Sequence, residues 1–204
     1  MNMFTLPTGI NMTNTYILLS DGKAIVIDPG YDGDRIISYV ETRGATIEYI
    51  LVTHGHYDHI GAVAELKCKT GAKVYISQVD FDLLKEHDFL QGLCEGYSVA
   101  PFDADVLLKG GEKLLLLGLE IDVMATSGHT PGGVCYLIDN DKLFSGDTLF
   151  RLSVGRTDFS YGDTDKLITS VRSLFELPGT TRVYPGHGEP TEIDFEKKYN
   201  PYVH

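Results

Sequence analysis

The feature that most constrains the fold is the stretch "LVTHGHYDHIGAV" at residues 51–63, where three histidines and one aspartate lie within six positions. Those are three of the seven histidines in the whole chain. An apolar, β-rich run precedes them and a helical pattern follows. They are therefore predicted to lie at the end of a strand, where glycine-rich turns allow side chains to converge. A polar surface loop is the simpler interpretation, so the rest of the sequence has to decide.

Two further histidines and an aspartate have the same setting. His129 in "SGHTPGG" and His187 in "YPGHGEP" each follow a predicted strand beside glycines, and Asp147 in "LFSGDTLF" ends another strand. Residues two apart in an extended segment point the same way, so His54 and His56 can bind one ion together. These positions indicate a metal site rather than a surface loop.

The number of ligands is sufficient for two ions. We predict one group made of His54, His56 and His129, and a second made of Asp58, His59 and His187, with Asp147 bridging the two. Imidazole and carboxylate ligands that leave open positions suit two catalytic divalent ions, most readily zinc, with iron or manganese as alternatives. Structural zinc usually has a closed, cysteine-rich ligand set, which this chain does not offer.

Composition limits the class of protein. A chain of 204 residues with 43% hydrophobic residues is expected to form a single domain over residues 1–204. A net charge of -12 makes nucleic acid an unexpected partner. Neither a secretory leader nor a membrane-spanning stretch is expected, so we predict a cytoplasmic protein without a membrane partner. Cys68, Cys94 and Cys135 show no paired spacing and are predicted to be free, buried thiols.

The chain reads as strands interspersed with helices. Hairpins are predicted at Asp21-Gly22, near Gly118 and at Asn140-Asp141. Further strands are predicted in "IEYILVTH", "AKVYIS" and "TRVYPGHG". This pattern favours sheets covered by helices.

Helix signals are also present. Asp32 or Asp34 is predicted to cap a helix that runs to about Arg43, and the helix in "IGAVAELKCKTG" is expected to stop at Gly71. Another helix, "TDKLITSVRSLFEL", is expected to be capped by Asp163 and ended by Pro178-Gly179. Segment 80–103 is predicted to be an irregular or short-helical excursion that covers a site.

The motifs "THGHYDH", "GHTPGG", "SGDTLF" and "PGHG" resemble, in order, the ligand motifs of the metallo-β-lactamase superfamily. The resemblance covers the chain from "AIVIDPG" to "PGHGEPT". It implies an α+β fold, an αββα sandwich in which helices flank two mixed sheets, with a dinuclear site at one sheet edge. Segment "GDTLFRLSVGRTDFSYGD" resembles the short hydroxyacylglutathione hydrolases of the glyoxalase II type more narrowly.

The narrower resemblance implies a metal-dependent hydrolase that cleaves a small-molecule thioester such as a hydroxyacylglutathione, or an ester, with a metal-bridging hydroxide. Asp58 would both bind metal and orient that hydroxide. Arg156 would bind the glutathione carboxylate, although an ion pair with Asp158 is the equal alternative. Asp28 is expected either to hydrogen-bond a ligand histidine or to serve only as a strand-end turn residue. Tyr57 and the aromatic-rich segment 81–102 are expected to line the pocket.

Several alternatives stay open. Persulfide dioxygenases share "GRTDF"-like residues and would need one iron on His54 or His56 together with His129 and Asp147. Lactonases share the same ligands. The common dizinc β-lactamases have a cysteine at the position of Asp147, so antibiotic hydrolysis is not expected.

The chain ends 17 residues after His187. The helical glutathione-binding domain of full-length glyoxalase II is therefore expected to be absent. A non-catalytic protein whose histidines merely hold zinc is the opposing class. His87 and His204 lack a ligand-like setting, and the oligomeric state is left open.

Overall fold

Strand alternation in the first third of the chain produces a six-stranded mixed sheet in the computed structural model, which describes residues 1–86, 98–158 and 160–203. Its strands are, in spatial order, β1 (Asn2–Thr8), β2 (Thr13–Ser20), β3 (Lys23–Ile27), β4 (Thr46–Leu51), β5 (Lys73–Ser77) and β6 (Val106–Leu108). The first three strands pair antiparallel, and β3 to β6 pair parallel.

A second six-stranded sheet follows from the hairpins of the later part of the chain. Its strands are β7 (Lys113–Leu116), β8 (Leu119–Ala125), β9 (Val134–Ile138), β10 (Lys142–Gly146), β13 (Arg182–Pro185) and β14 (Thr191–Glu192), in the order β14-β13-β10-β9-β8-β7. Only the β10–β13 pair is parallel within the described residues. A short hairpin of β11 (Leu149–Phe150) and β12 (Ser153–Val154) lies between β10 and β13 in sequence.

Helices cover the outer faces of the two sheets. They are α1 (Gly33–Glu41), α2 (Tyr57–Ile60), α3 (Val63–Thr70), α4 (Gln78–Leu83), α5 (Thr164–Leu174) and α6 (Ile193–Tyr199).

The period of two in the strands assigns residues to separate apolar layers. In β3, Ala24 and Val26 pack in one cluster with residues of α1 and α3, whereas Ile25 and Ile27 pack in another with residues of the second sheet. A third cluster joins the far face of the second sheet to α5. The layers are therefore helix, sheet, sheet and helix, and the predicted αββα sandwich is confirmed.

Most predicted boundaries are confirmed. Asp21 and Gly22 form the β2–β3 turn with φ of 49° and 73°, as the Asp-Gly dipeptide predicts. The carboxylate of Asp163 accepts the backbone N–H of Lys166 at 3.0 Å and caps α5. The α3 helix ends at Gly71, whose φ of 73° lies in the left-handed region.

Other boundaries differ from the prediction. Asp32 occupies the N-cap of α1, but its carboxylate accepts the backbone N–H of Gly9 instead of a helical one, and the helix ends at Glu41 rather than Arg43. The α5 helix ends before Pro178, because the chain forms a tight turn from Phe175 onward. The sequence does not predict strands β1, β6, β11, β12 and β14 or helix α6, and α4 begins two residues before the segment that is predicted to be irregular or short-helical.

Three expectations can be compared with the structure only in the described residues. Segment 80–103 begins within α4, but its residues 87–97 lie outside the described residues, as do Cys94, His87 and His204. Cys68 and Cys135 are free thiols, as predicted; Cys135 is also buried as predicted, but Cys68 is exposed, because the buried residues of α3 are Val63 and Leu66. In the described ranges, no helix is both long and apolar enough to span a bilayer. The single-domain interpretation of residues 1–204 stays a prediction.

Candidate metal centre

Chain segments that follow strands of both sheets bring the predicted residues to one place. His54 and His56 follow β4, His129 follows β8, and His187 follows β13. Together with His59 of α2 they form a cluster of imidazoles in which neighbouring ring centroids lie 4.1 to 5.3 Å apart. The five histidines that the sequence singled out are therefore neighbours in the fold.

The first predicted group, His54, His56 and His129, is compact. Ligand atoms of these three residues lie within 4.8 Å of one another. Nδ1 of His56 is 2.9 Å from Nε2 of His129. This arrangement places three nitrogen atoms around a single point, as one metal ion requires.

The second predicted group is made of Asp58, His59 and His187, and its ligand atoms also lie within 4.8 Å of one another. Oδ2 of Asp58 is 3.3 Å from Nε2 of His187 and 4.0 Å from Nε2 of His59. The group offers one carboxylate oxygen and two nitrogen atoms.

Asp147, which follows β10, contacts both groups. Its Oδ1 is 3.3 Å from Nε2 of His59, and its Oδ2 is 3.5 Å from Nε2 of His129 and 3.6 Å from Nε2 of His187. This is the position that a bridging carboxylate needs, and the bridging role itself stays a prediction.

Hydrogen bonds orient two of the histidines from behind. The Thr53 hydroxyl donates to Oδ2 of Asp28 at 2.7 Å, so its oxygen accepts the Nδ1–H of His54 at 3.0 Å. Oδ2 of Asp28 also accepts the Nδ1–H of His59 at 3.0 Å. Both rings therefore donate their Nδ1–H away from the cluster and turn Nε2 toward it. The predicted hydrogen bond between Asp28 and a clustered histidine is confirmed.

Backbone carbonyl groups orient two more of the histidine rings, those of His129 and His187. Nδ1 of His129 donates to the Arg156 carbonyl at 2.7 Å, and Nδ1 of His187 donates to the Asn11 carbonyl at 3.2 Å. A carbonyl can only accept, so Nε2 of each ring again presents its lone pair to the cluster. Four of the five imidazoles are thus held in the tautomer that ligation by Nε2 needs.

The charges of the cluster suit a cation. Burial and the neighbouring His129 lower the pKa of His56 to about 3, so this ring is neutral at pH 7. Burial alone would raise the pKa of Asp147, but the nearby charge of His59 brings it down to about 2. Asp58 behaves similarly, with a pKa below its ordinary value because of His59, His187 and Asn11. Burial lowers the pKa of His59, but Asp147, Asp58 and Asp28 together hold that pKa well above its usual value, so this ring is protonated while no cation is bound. Ionised carboxylates and neutral imidazoles are the forms that bind metal, so a bound cation would take the place of the Nε2 proton of His59.

Unsatisfied buried atoms test whether a metal fits here. Among the described residues, Nε2 of His54, Nε2 of His59 and Oδ1 of Asp147 are buried and form no hydrogen bond, although the last two atoms lie 3.3 Å apart. Leaving such atoms unpaired costs about 1–3 kcal/mol each, so native proteins rarely tolerate it. A divalent cation coordinated by these atoms removes that cost, and the residues present therefore fit the predicted ions.

Arg156 and Tyr57 are the residues expected to contact substrate, and for both of them that role stays a prediction. The Arg156 guanidinium forms a bidentate pair with Asp158, at 2.9 Å for both contacts, and the two side chains are well exposed. The ion-pair alternative therefore describes this structure, and substrate binding by Arg156 stays a prediction. The Tyr57 hydroxyl accepts a hydrogen bond from Nδ2 of Asn11 at 2.7 Å, beside Asp58.

Some residues at the site were missed by the sequence analysis. Asn11 donates to Oδ2 of Asp58 at 3.1 Å, and Thr53 and Asp80 hydrogen-bond residues of the histidine segments. The hydrogen-bond partners of the Asn11 and Asp80 side chains are 25 to 52 positions away in sequence, so no local pattern marks these two residues. Only Thr53, directly before His54, has a position that could have indicated a role.

A histidine and aspartate cluster that could hold metal ions therefore lies where strands of two facing sheets end. The sequence profile of the Metallo-beta-lactamase superfamily matches residues 8–187, and the chain belongs to that superfamily.

Two curated relatives match nearly end to end. "Probable metallo-hydrolase YqgX" of Bacillus subtilis is 36% identical over 201 residues, covering 97% of this chain and 95% of the relative. "Hydroxyacylglutathione hydrolase GloC" of Haemophilus influenzae is 33% identical over 210 residues, covering 100% of this chain and 98% of the relative.

Solved structures share the fold closely. BLEG-1 B3 metallo-β-lactamase superposes with a TM-score of 0.91 at 35% identity, covering 99% of each chain. TTHA1623 in a di-iron-bound form gives 0.86 at 34% identity, covering 98% of this chain and 99% of the other. ETHE1 from Myxococcus xanthus gives a TM-score of 0.83 at 33% identity, covering 100% of this chain and 84% of the other.

Proposed function

We propose that this protein is a dinuclear metal-dependent hydrolase that cleaves a small-molecule thioester such as a hydroxyacylglutathione. The observation that carries the proposal is the position of Asp147, whose two carboxylate oxygens lie 3.3 to 3.6 Å from histidine nitrogens of both ligand groups. A site for one ion needs only one of those groups. Zinc is the preferred metal, and the di-iron form of TTHA1623 makes iron the main alternative.

The residues would divide the work as follows. His54, His56 and His129 would hold one ion, Asp58, His59 and His187 the other, and Asp147 would contact both. Bound divalent ions supply an activated water and a Lewis acid for the substrate carbonyl. Asp58, oriented by Asn11 and Thr13 through hydrogen bonds of 3.1 and 3.3 Å, would hold that water in line with the carbonyl carbon.

A thioester suits this arrangement because a thiolate leaves readily, so no separate general acid is needed. Neither the serine nor the cysteine near the cluster is set up as a nucleophile. The hydroxyl of Ser145, which lines a cavity with His54, His129 and Asp147, donates to the Leu149 carbonyl at 2.8 Å. Cys135 is fully buried in the third apolar cluster, where burial raises the pKa of its thiol to about 11. Arg156 would bind a carboxylate of the thiol carrier, in exchange for its pairing with Asp158.

The GloC relative supports glutathione thioesters as the substrate class. This chain aligns with 98% of that protein's length, so a hydroxyacylglutathione hydrolase of this extent has a precedent among its relatives. We further propose that the protein acts in the cytoplasm on small molecules rather than on nucleic acid, in keeping with its net charge of -12.

A second candidate is a mononuclear iron persulfide dioxygenase, with which the likeness to ETHE1 is consistent. It would use His54 or His56 with His129 and Asp147, and would leave the second ligand group without a role. Lactone hydrolysis is the third. The likeness to a B3 metallo-β-lactamase makes a β-lactam a necessary negative control.

A substrate panel tests the proposal. The purified protein is assayed for kcat/KM with S-lactoylglutathione, another acyl thioester, a lactone and a chromogenic β-lactam, and for oxygen uptake with glutathione persulfide. We expect the glutathione thioester to be the best substrate and to be hydrolysed without oxygen consumption. Oxygen uptake with persulfide and no thioester turnover would establish the second candidate instead, and a higher kcat/KM for the lactone or the β-lactam would assign the corresponding hydrolase.

A further inference from the structure

A buried carboxylate outside the ligand cluster joins the two chain segments that carry the first ligand group. Asp80 lies in the first turn of α4, and its side chain is inaccessible to solvent. Its Oδ2 accepts the backbone N–H of Gly55 at 2.9 Å and the hydroxyl of Thr130 at 2.8 Å. Its Oδ1 accepts the backbone N–H of Gly132 at 2.7 Å.

The partners of Asp80 are the immediate neighbours of the ligands. Gly55 lies between His54 and His56, and Thr130 follows His129. The first pair follows β4 of one sheet, and His129 follows β8 of the other. Asp80 is therefore a hydrogen-bonded link between histidines that come from different sheets.

The contact at Gly132 leaves no room for adjustment. A Cβ atom at this position would lie 2.4 Å from Oγ of Ser77 and 2.6 Å from Oδ1 of Asp80. Only glycine allows the segment after His129 to approach α4 this closely.

Burial alone does not explain why this position carries a carboxylate. Within the described part of the chain, no lysine or arginine forms an ion pair with it, and burial raises the pKa of its carboxyl. Holding an unpaired buried carboxylate is costly unless it is fully hydrogen-bonded. An apolar residue would avoid burying a charge but would leave the N–H groups of Gly55 and Gly132 and the Thr130 hydroxyl without an acceptor, so the position requires acceptor atoms.

We propose that Asp80 is a positioning residue for the metal centre, which fixes the separation between the His54–His56 segment and the His129 segment and thereby sets the affinity for the first ion. This inference rests on the proposed dinuclear site. Asp80 does not touch that site itself; it acts through the backbone of Gly55 and through Thr130. Outer partners of metal ligands typically contribute about 10–100-fold to metal affinity.

The substitution Asp80→Asn tests this inference, because the amide replaces one acceptor oxygen by a donor that meets a backbone N–H. Zinc affinity is measured by competition with a chromophoric chelator, and thermal unfolding of the metal-free protein is measured in parallel. We expect about a 10-fold or greater loss of affinity for one of the two ions.

Glu196→Gln is the matched control. Glu196 is also inaccessible to solvent and accepts three hydrogen bonds, from the backbone N–H of Leu152 at 2.9 Å, the Thr191 hydroxyl at 2.6 Å and Nδ2 of Asn200 at 2.9 Å. It lies in α6, and none of these partners adjoins a proposed ligand. We expect this variant to lose thermal stability but to keep wild-type affinity for both ions.

The outcomes separate this inference from the function on which it rests. Wild-type affinity for both ions in Asp80→Asn, or an equal loss in Glu196→Gln, would overturn the positioning role and leave the dinuclear site intact. A wild-type protein that binds no metal would overturn the proposed function first, and the positioning role with it. If Asp80→Asn does not fold, Thr130→Val removes one of the three donors and should lower the affinity in the same direction by a smaller factor; unchanged affinity in that variant would overturn the inference.

Discussion

Oδ2 of Asp28 lies 3.0 Å from Nδ1 of His59, and both side chains are almost completely buried. The pair connects the end of β3 to α2, and the same oxygen accepts the Thr53 hydroxyl at 2.7 Å. One carboxylate thus holds His59 directly and His54 through Thr53. These two histidines belong to different ligand groups, so Asp28 supports both proposed metal positions.

The substitution Asp28→Asn should weaken both positions. The amide nitrogen must replace either Oδ2, which serves the Thr53 hydroxyl and His59, or Oδ1, which accepts the backbone N–H of Thr53 at 2.7 Å, so at least one of these contacts is lost or reversed. We expect metal affinity to fall by about 10–100-fold, measured by chelator competition. Two ions held with wild-type affinity in this variant would show that Asp28 acts only as a turn residue.

The substitution Asp147→Asn should have a larger effect, because Asp147 contacts members of both ligand groups. We expect the variant to lose at least one ion per chain and thioester hydrolysis to fall by more than about 100-fold, since a direct ligand matters more than an outer partner. Elemental analysis and steady-state kinetics check this together. Wild-type metal content with wild-type turnover would rule out the bridging role.

Arg156 should affect substrate binding without affecting the metal. Its carbonyl orients His129, but that contact comes from the backbone and survives a change of side chain. For Arg156→Ala we expect unchanged metal content and a KM for S-lactoylglutathione raised about 10-fold or more, the effect of losing a charge-assisted hydrogen bond.

Asp158→Ala is the control for Arg156, because it removes the same ion pair and leaves the arginine in place. It should not raise KM. A KM that rises equally in both variants would indicate that the ion pair, rather than a contact with substrate, is what matters.

Removal of metal should abolish hydrolysis and leave the fold. The three apolar clusters contain none of the proposed ligands, so they do not depend on a cation. After chelation we expect native far-UV circular dichroism and cooperative unfolding at a lower temperature, because ligand binding no longer favours the folded state. Collapse of the fold on chelation would instead indicate a structural metal.

The ligand cluster could be predicted from the sequence because each of its members lies in a short motif beside glycine at a strand end. "THGHYDH" alone supplies His54, His56, Asp58 and His59, and strand alternation indicates which of them point together. The layered fold was predicted from the resemblance of these motifs to the superfamily, and the alternation in β3 explains it physically.

The supporting residues could not be predicted in this way. Asp80 and Thr130 are 50 positions apart, and Asn11 and Asp58 are 47 apart, so their contacts exist only once both sheets are assembled. Short edge strands such as β6 and β14 were missed for a related reason. They are three and two residues long, so pairing with a neighbouring strand, rather than their own periodicity, determines their conformation.

Metal content per chain, measured together with thioester turnover, decides whether the site is that of a dinuclear hydrolase. The protein is purified without added metal or chelator, analysed for zinc, iron and manganese, and assayed with S-lactoylglutathione in the same preparation. For the proposed dinuclear site we expect about two divalent ions per chain together with turnover. A single iron per chain, with oxygen uptake on a persulfide and no thioester hydrolysis, would contradict it.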